Sequence, residues 1–333
     1  MIYNLHFDTE YVYSDELKDS NCEILTSMIL NIWRDNCCFF IADKEVKNYI
    51  EVIDTLPPQL SIKWKTALTN YKTYNIDDCY KPLRDFPDLT SLEKNYKNTE
   101  LDLVIIPNNY NGLGFTTAVN NRNINGMDIV KSQYIPLSAT YNHIYNSYNR
   151  DITGTETLDQ IWETKFSRLA KTSSAITIID RYLGVNIFQD INSKKTSLEY
   201  FIDKILSCNI ECSITIYTSH ITHPTSGDFL PEDKNECKTF IENYIRRKLE
   251  IKPRFKKSIA SLEINFCEES LFRPIAHDRF ITFDKHTINL GIGMEIFRQN
   301  GIKATTCTLR YTGNTNFSTI LNNLSKNRFL SVK

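Results

Sequence analysis

Hydrophobic positions recur along this chain in two rhythms. Ile2, Leu5 and Phe7 open it as a strand that leaves Asp8, Thr9 and Glu10 at its end, with Tyr11 and Val12 carrying the apolar pattern onward. The spacing then lengthens. Within residues 22–33, Ile24, Leu25, Met28, Ile29 and Ile32 fall on one face of a helix. Residues 39–42 read as a short buried strand, and residues 44–53 as a second amphipathic helix ended by Pro57-Pro58. Leu101-Asp102-Leu103-Val104-Ile105-Ile106 predicts a strand stopped by Pro107, and an Asn/Gly-rich loop spans residues 108–114. Strand, helix and strand in alternation predict a small α/β domain over residues 1–150.

Residues 146–157 are polar, contain Gly154 and precede a new helix, so the domain boundary is expected there. Ile161, Trp162, Phe166 and Leu169 give that helix its apolar face. A buried strand follows over residues 175–180, ending in Asp180-Arg181-Tyr182. Thr196-Ser197-Leu198-Glu199 is a capping box, in which each side chain satisfies a free backbone N–H at a helix start. A second strand (213–218), a third helix (234–249), a third strand (260–266), a hairpin through Lys285-His286 and a last strand (305–311) complete the pattern. The fold class read from this order is α/β in two domains, the second covering residues 155–333.

Composition narrows the class. An apolar fraction of 41% supports real cores and excludes a disordered chain. No run of about 18 apolar residues is present, so no transmembrane helix is expected. The N-terminus lacks a basic-then-apolar signal sequence. Nine cysteines, an odd number without metal-type spacing, point to buried free thiols in a reducing cytoplasm. Charge is unevenly spread. Residues 155–333 carry 25 basic and 20 acidic side chains, a balance of +5, against −6 for residues 1–154. A basic second half suits a polyanionic partner, and it also falls within ordinary surface variation.

The chemistry concentrates in His277-Asp278-Arg279-Phe280-Ile281-Thr282-Phe283-Asp284, followed by Gly291-Ile292-Gly293. Read as one strand, it places His277 and Arg279 on the same face and a carboxylate at the far end. A nucleophile beside a phosphate-binding cation is what phosphoryl transfer requires. Small residues downstream allow a close approach of backbone to phosphate.

In this pattern the chain resembles the phospholipase D superfamily. That family's motif is His-x-Lys, four residues, Asp, and a small-residue segment about six residues later. Here it reads His277-x-Arg279, four residues, Asp284, six residues and Gly291-Ile292-Gly293. The flanks around Asp180-Arg181-Tyr182 and residues 288–297 are similar to single-motif members, the phospholipase-D-like C-terminal domain of MIT-domain proteins and bacterial relatives in conflict and defence systems. The resemblance implies a phospholipase-D-like α/β/α sandwich over residues 155–333. It implies a metal-independent phosphodiesterase, a nuclease, working through a phosphohistidine with no metal and no cofactor. His277 would then be nucleophile or acid, Arg279 the phosphate clamp and Asp284 the group that orients a histidine. Asn289, Gly291, Gly293 and Asp180 would line the phosphate pocket. One motif copy makes a homodimer necessary for a complete site, with two His277 strands meeting across a dyad. The expected partner is nucleic acid or another phosphodiester polyanion.

Other readings stand beside these. The same domain can be a non-catalytic module for anionic lipid headgroups, with peripheral membrane contact, as the eukaryotic relatives bind membranes. His277, Arg279 and Asp284 can form a structural hydrogen-bond network. Asp180 can simply cap a turn, and His220 and His223 are read as loop histidines. Asp8 and Glu10, with Asp43, Asp102 and Asp128 downstream, can hold a divalent metal as in PIN-type nucleases, which would move the chemistry into residues 1–150. Gly112-Leu113-Gly114 reads as a turn. Arg246, Arg247 and Lys248, with Lys252, Arg254, Lys256 and Lys257, form a solvated helix end that becomes a polyanion track if it lies beside His277.

Overall fold

The structure, a computed structural model, describes residues 2–19, 23–76, 81–96, 101–147, 150–192, 195–222, 230–272, 279–298 and 301–333. The chain is mixed α/β and divides into two compact units, Ile2–Tyr148 and Asn149–Lys333. Among the described residues no helix is long and apolar enough to cross a membrane. The seven described cysteines are free thiols, six of them buried.

In the first unit the strands β1 (Tyr3–Phe7), β2 (Cys37–Ile41), β3 (Thr73–Asn75), β4 (Leu103–Ile106), β5 (Asn121–Ile124) and β6 (Met127–Lys131) form one sheet in the order β3-β2-β1-β4-β6-β5. All neighbours run parallel except the β5–β6 hairpin. Every residue of β1, β2 and β4 is buried, as expected of strands covered on both faces. Phe7 anchors the core, with ring centroids 4.9 Å from Phe39 and 5.2 Å from Trp64. Trp64 comes from the helix Pro58–Asn70, which the sequence pattern did not reveal. Tyr11 and Val12 lie in the short helix Thr9–Val12, not in a continuation of β1.

The second unit is built on β7 (Ala175–Ile179), β8 (Cys212–Ser219), β9 (Ile259–Cys267), β10 (Phe280–Phe283), β11 (His286–Leu290), β12 (Cys307–Tyr311) and β13 (Arg328–Val332), in the order β12-β11-β10-β7-β8-β9-β13. β7, β8 and β9 are parallel, and the remaining strands pair antiparallel. Helices cover both faces. On the Phe283 side, Trp162, Phe166, Phe201 and Phe297 form one aromatic cluster, Trp162 edge-on to Phe201 and the Phe166–Phe297 centroids 5.3 Å apart. On the Phe280 side, Ile179, Tyr217 and Phe280 pack against Phe317, Ile320 and Leu324 of the helix Phe317–Lys326. Neither that helix nor β13 was read from the sequence. The predicted helix over 234–249 is α-helical at Lys234–Tyr244 and π-helical at Ile245–Leu249.

Candidate functional site

The C-terminal end of β7 and the start of β10 lie side by side, because Phe280 is in register with Ile179. That register brings Asp180, the residue after β7, next to Arg279, the residue before β10. Asp180 is buried, and its two oxygens accept backbone N–H groups from two different segments of the chain. Oδ1 accepts from Tyr182 at 2.9 Å, and Oδ2 accepts from Met294 at 2.6 Å. The first bond is the turn cap the sequence allowed. The second ties the segment after β11 to β7. Burial pushes the Asp180 carboxyl above the usual range, opposed by the Met294 and Tyr182 amides and by the Arg279 charge.

Arg279 folds back over this turn. Its Nη1 donates to the Gly291 carbonyl oxygen, and its guanidinium carbon lies 5.1 Å from the Tyr182 ring centroid. Its Nε is buried with no hydrogen-bond partner. Gly293 closes the arrangement at φ +59°. A Cβ there would overlap Oδ2 of Asp180 and sit 2.5 Å from Cδ of Arg279. Gly291 is pinned by its own N–H to Thr306, and the Ile292 N–H donates to the Thr305 hydroxyl at 3.1 Å. The structure therefore brings together Asp180, Arg279, Gly291 and Gly293.

Asp284 and His220 stand elsewhere. His277 and Asp278 lie outside the described residues, as does His223. Asp284 is at the opposite end of β10, on the order of 15 Å along the strand from Arg279. It sits in the hairpin turn at φ +49°, and its Oδ1 accepts the N–H groups of Ala175 at 2.9 Å and Ser174 at 3.2 Å. It lies at the far end of the strand, where the sequence places a carboxylate, and there it holds the start of β7. Asn289 is half-buried on β11, in register with Phe280 and Thr308. His220 is a loop histidine whose Nε2 bonds the Pro231 carbonyl at 2.8 Å. The basic run is not beside Arg279. Lys252 pairs with Asp203, and Arg254 bonds Asn209 near the starts of β8 and β9, the other end of the sheet from Asp180.

Two residues the sequence reading left without a role join the site. The guanidinium carbon of Arg181 lies 5.0 Å from the Tyr182 ring, so two arginines share that ring. Arg181 pairs with Glu269, and its Nε is buried without a partner. Their signal was the Asp-Arg-Tyr sequence at a strand end, where ligands of α/β folds gather.

In the first unit Asp8 is fully buried at the end of β1. Its oxygens accept from the Glu10 and Leu83 amides, both at 2.9 Å. Burial raises its carboxyl to about 6. Asp102 bonds the Asn4 amide, and Asp128 bonds the Thr140 amide, both near the start of the strands and away from Asp8. Among the described residues no three His, Cys, Asp or Glu side chains are placed to hold a metal ion. Comparison with family models, curated proteins and solved structures gives no match for this chain.

Proposed function

We propose that this chain is a metal-independent phosphodiesterase of the phospholipase D type, a nuclease acting as a homodimer through a phosphohistidine at His277. On this reading residues 155–333 form a phospholipase-D-like α/β/α sandwich and residues 1–150 a separate α/β domain. The chain works in the cytoplasm on nucleic acid or a related polyanion, in a bacterial defence or toxin system. The defence role rests on the family likeness alone.

The observation that carries the reading is the contact between Arg279 and the glycine segment. The cation of the motif and its small residues, twelve positions apart, meet around Asp180. A guanidinium held this way keeps donors for two phosphate oxygens. Its carbonyl and aromatic contacts restrict its geometry before substrate arrives. His277 stands two positions upstream of this cation in sequence.

The test is cleavage of single- and double-stranded DNA and RNA in EDTA. The wild type cleaves at least one of them, and His277→Ala and Arg279→Ala do not. Cleavage undiminished in His277→Ala rules out the proposed nucleophile.

A second reading draws on Arg181 and Arg279 at the Tyr182 ring. Two guanidiniums there can bind an anionic headgroup with no chemistry at all. Salt-sensitive binding to phosphatidylserine vesicles, lost in Arg279→Ala and accompanied by no cleavage, would favour it.

A further inference from the structure

The first unit carries a second site that the phosphodiesterase reading does not use. Its sheet changes direction between β1 and β4. The chain builds β2 and β3 on one side of β1 and then crosses to place β4 on the other. The crevice beyond the C-terminal ends of such a strand pair is where open α/β sheets bind ligands. Here that position is hollow, with a cavity of about 540 Å³ lined by the segments after β1 and β4 and by residues 83–87. This volume is within the range of small-molecule sites.

The lining is chemically mixed. Glu10 follows β1 and meets Arg84 at 3.4 Å across the rim. Asn109, Tyr110 and Asn111 follow β4. Beneath them the buried Asp8 carboxylate holds the Glu10 and Leu83 amides together, which fixes both sides of the opening. The loop also carries a backbone outlier. Leu113 has φ +49°, a conformation unfavourable for a bulky apolar side chain, immediately before Gly114 at φ +75°.

We propose that this crevice binds a ribonucleotide: Tyr110 faces the base, Asn109 and Asn111 read its edge, Glu10 accepts from the sugar diol and Arg84 holds the phosphate. The composition selects this class. A bare anion has no use for Glu10, and a neutral sugar leaves Arg84 idle. An acidic peptide offers no planar heterocycle to Tyr110 and the two carboxamides, and a metal ion finds both Asp8 oxygens already taken by amides. A ribonucleotide engages the acid, the guanidinium, the carboxamides and the ring at once. The first unit then reports a nucleotide, whatever His277 cleaves.

Isothermal titration calorimetry of the full chain in EDTA tests this with AMP, GMP, CMP and UMP and their 2′-deoxy counterparts. One ribonucleotide is expected to saturate one site, and its deoxy form to bind about tenfold or more weakly. Glu10→Gln and Arg84→Ala each lower the affinity by about tenfold to a hundredfold, the worth of a hydrogen bond to a charged group. Arg279→Ala leaves the affinity unchanged, because that residue belongs to the other unit. Three results overturn the proposal: no binding of any of the four up to about 1 mM, equal affinity for ribose and deoxyribose forms, or binding lost in Arg279→Ala but kept in Arg84→Ala.

Discussion

The amide of Met294 donates to Oδ2 of Asp180 at 2.6 Å, joining residues 114 positions apart in the chain. With the Tyr182 amide on the other oxygen, the carboxylate acts as the central acceptor of the second unit's site. Asp180→Asn keeps the shape but offers one carbonyl oxygen to two donors, so one N–H faces another. Loss of about 2 kcal/mol is expected in urea unfolding, together with reduced cleavage, because the segment carrying Gly291 and Gly293 loses its tether.

Gly293 and Gly291 make a paired test. At Gly293 the φ of +59° and the approach of Asp180 and Arg279 leave no room for a methyl group. Gly293→Ala should cost about 2–4 kcal/mol and disrupt the Arg279 geometry. At Gly291 a Cβ meets the Thr305 and Thr306 hydroxyls at 2.8 and 2.9 Å, side-chain atoms that can rotate away at the loss of the Ile292 N–H bond to Thr305. Gly291→Ala should cost less than half as much. Thermal melting of the two variants measures the difference, and equal losses would contradict the crowding argument.

Local signals in the sequence were legible where the physics is local. The continuous apolar run before Pro107 is β4. The capping box forms as read, with Glu199 N–H to Thr196 Oγ1 at 3.1 Å and Thr196 N–H to Glu199 Oε2 at 2.9 Å. What the sequence hid depends on longer-range packing or on ambiguous chemistry. Pro57-Pro58 reads as a stop, yet proline is also favoured in the first turn of a helix, and here Pro58 begins Pro58–Asn70. Asp284 stands at the motif's spacing, but the same position is the left-handed residue of a tight hairpin, a place Asp tolerates. Asp180 was legible as a strand-end acid. Its bond to Met294 was not, since nothing local links the two.

Asp8 sets a pH dependence. Its carboxyl rises from 3.8 unfolded to about 6 folded, chiefly through burial. Between those values the native state binds more protons than the unfolded chain, so this group's contribution to stability falls as pH rises. Compared with Asp8→Asn, which does not titrate, the wild type should lose up to about 3 kcal/mol of relative stability from pH 4 to pH 7. Urea unfolding curves of both proteins at pH 4, 5, 6 and 7 give the difference. A wild-type advantage that grows with pH would contradict the burial argument.

The central claim, covalent phosphoryl transfer through His277, is tested most directly by trapping. The chain is mixed with a substrate labelled at the scissile phosphate, quenched in alkaline denaturant and mapped by mass spectrometry. The account predicts an acid-labile phosphate adduct on the peptide containing His277, absent from His277→Ala and diminished in Arg279→Ala. Substrate turnover with no adduct on His277, or an adduct on another residue, would contradict it.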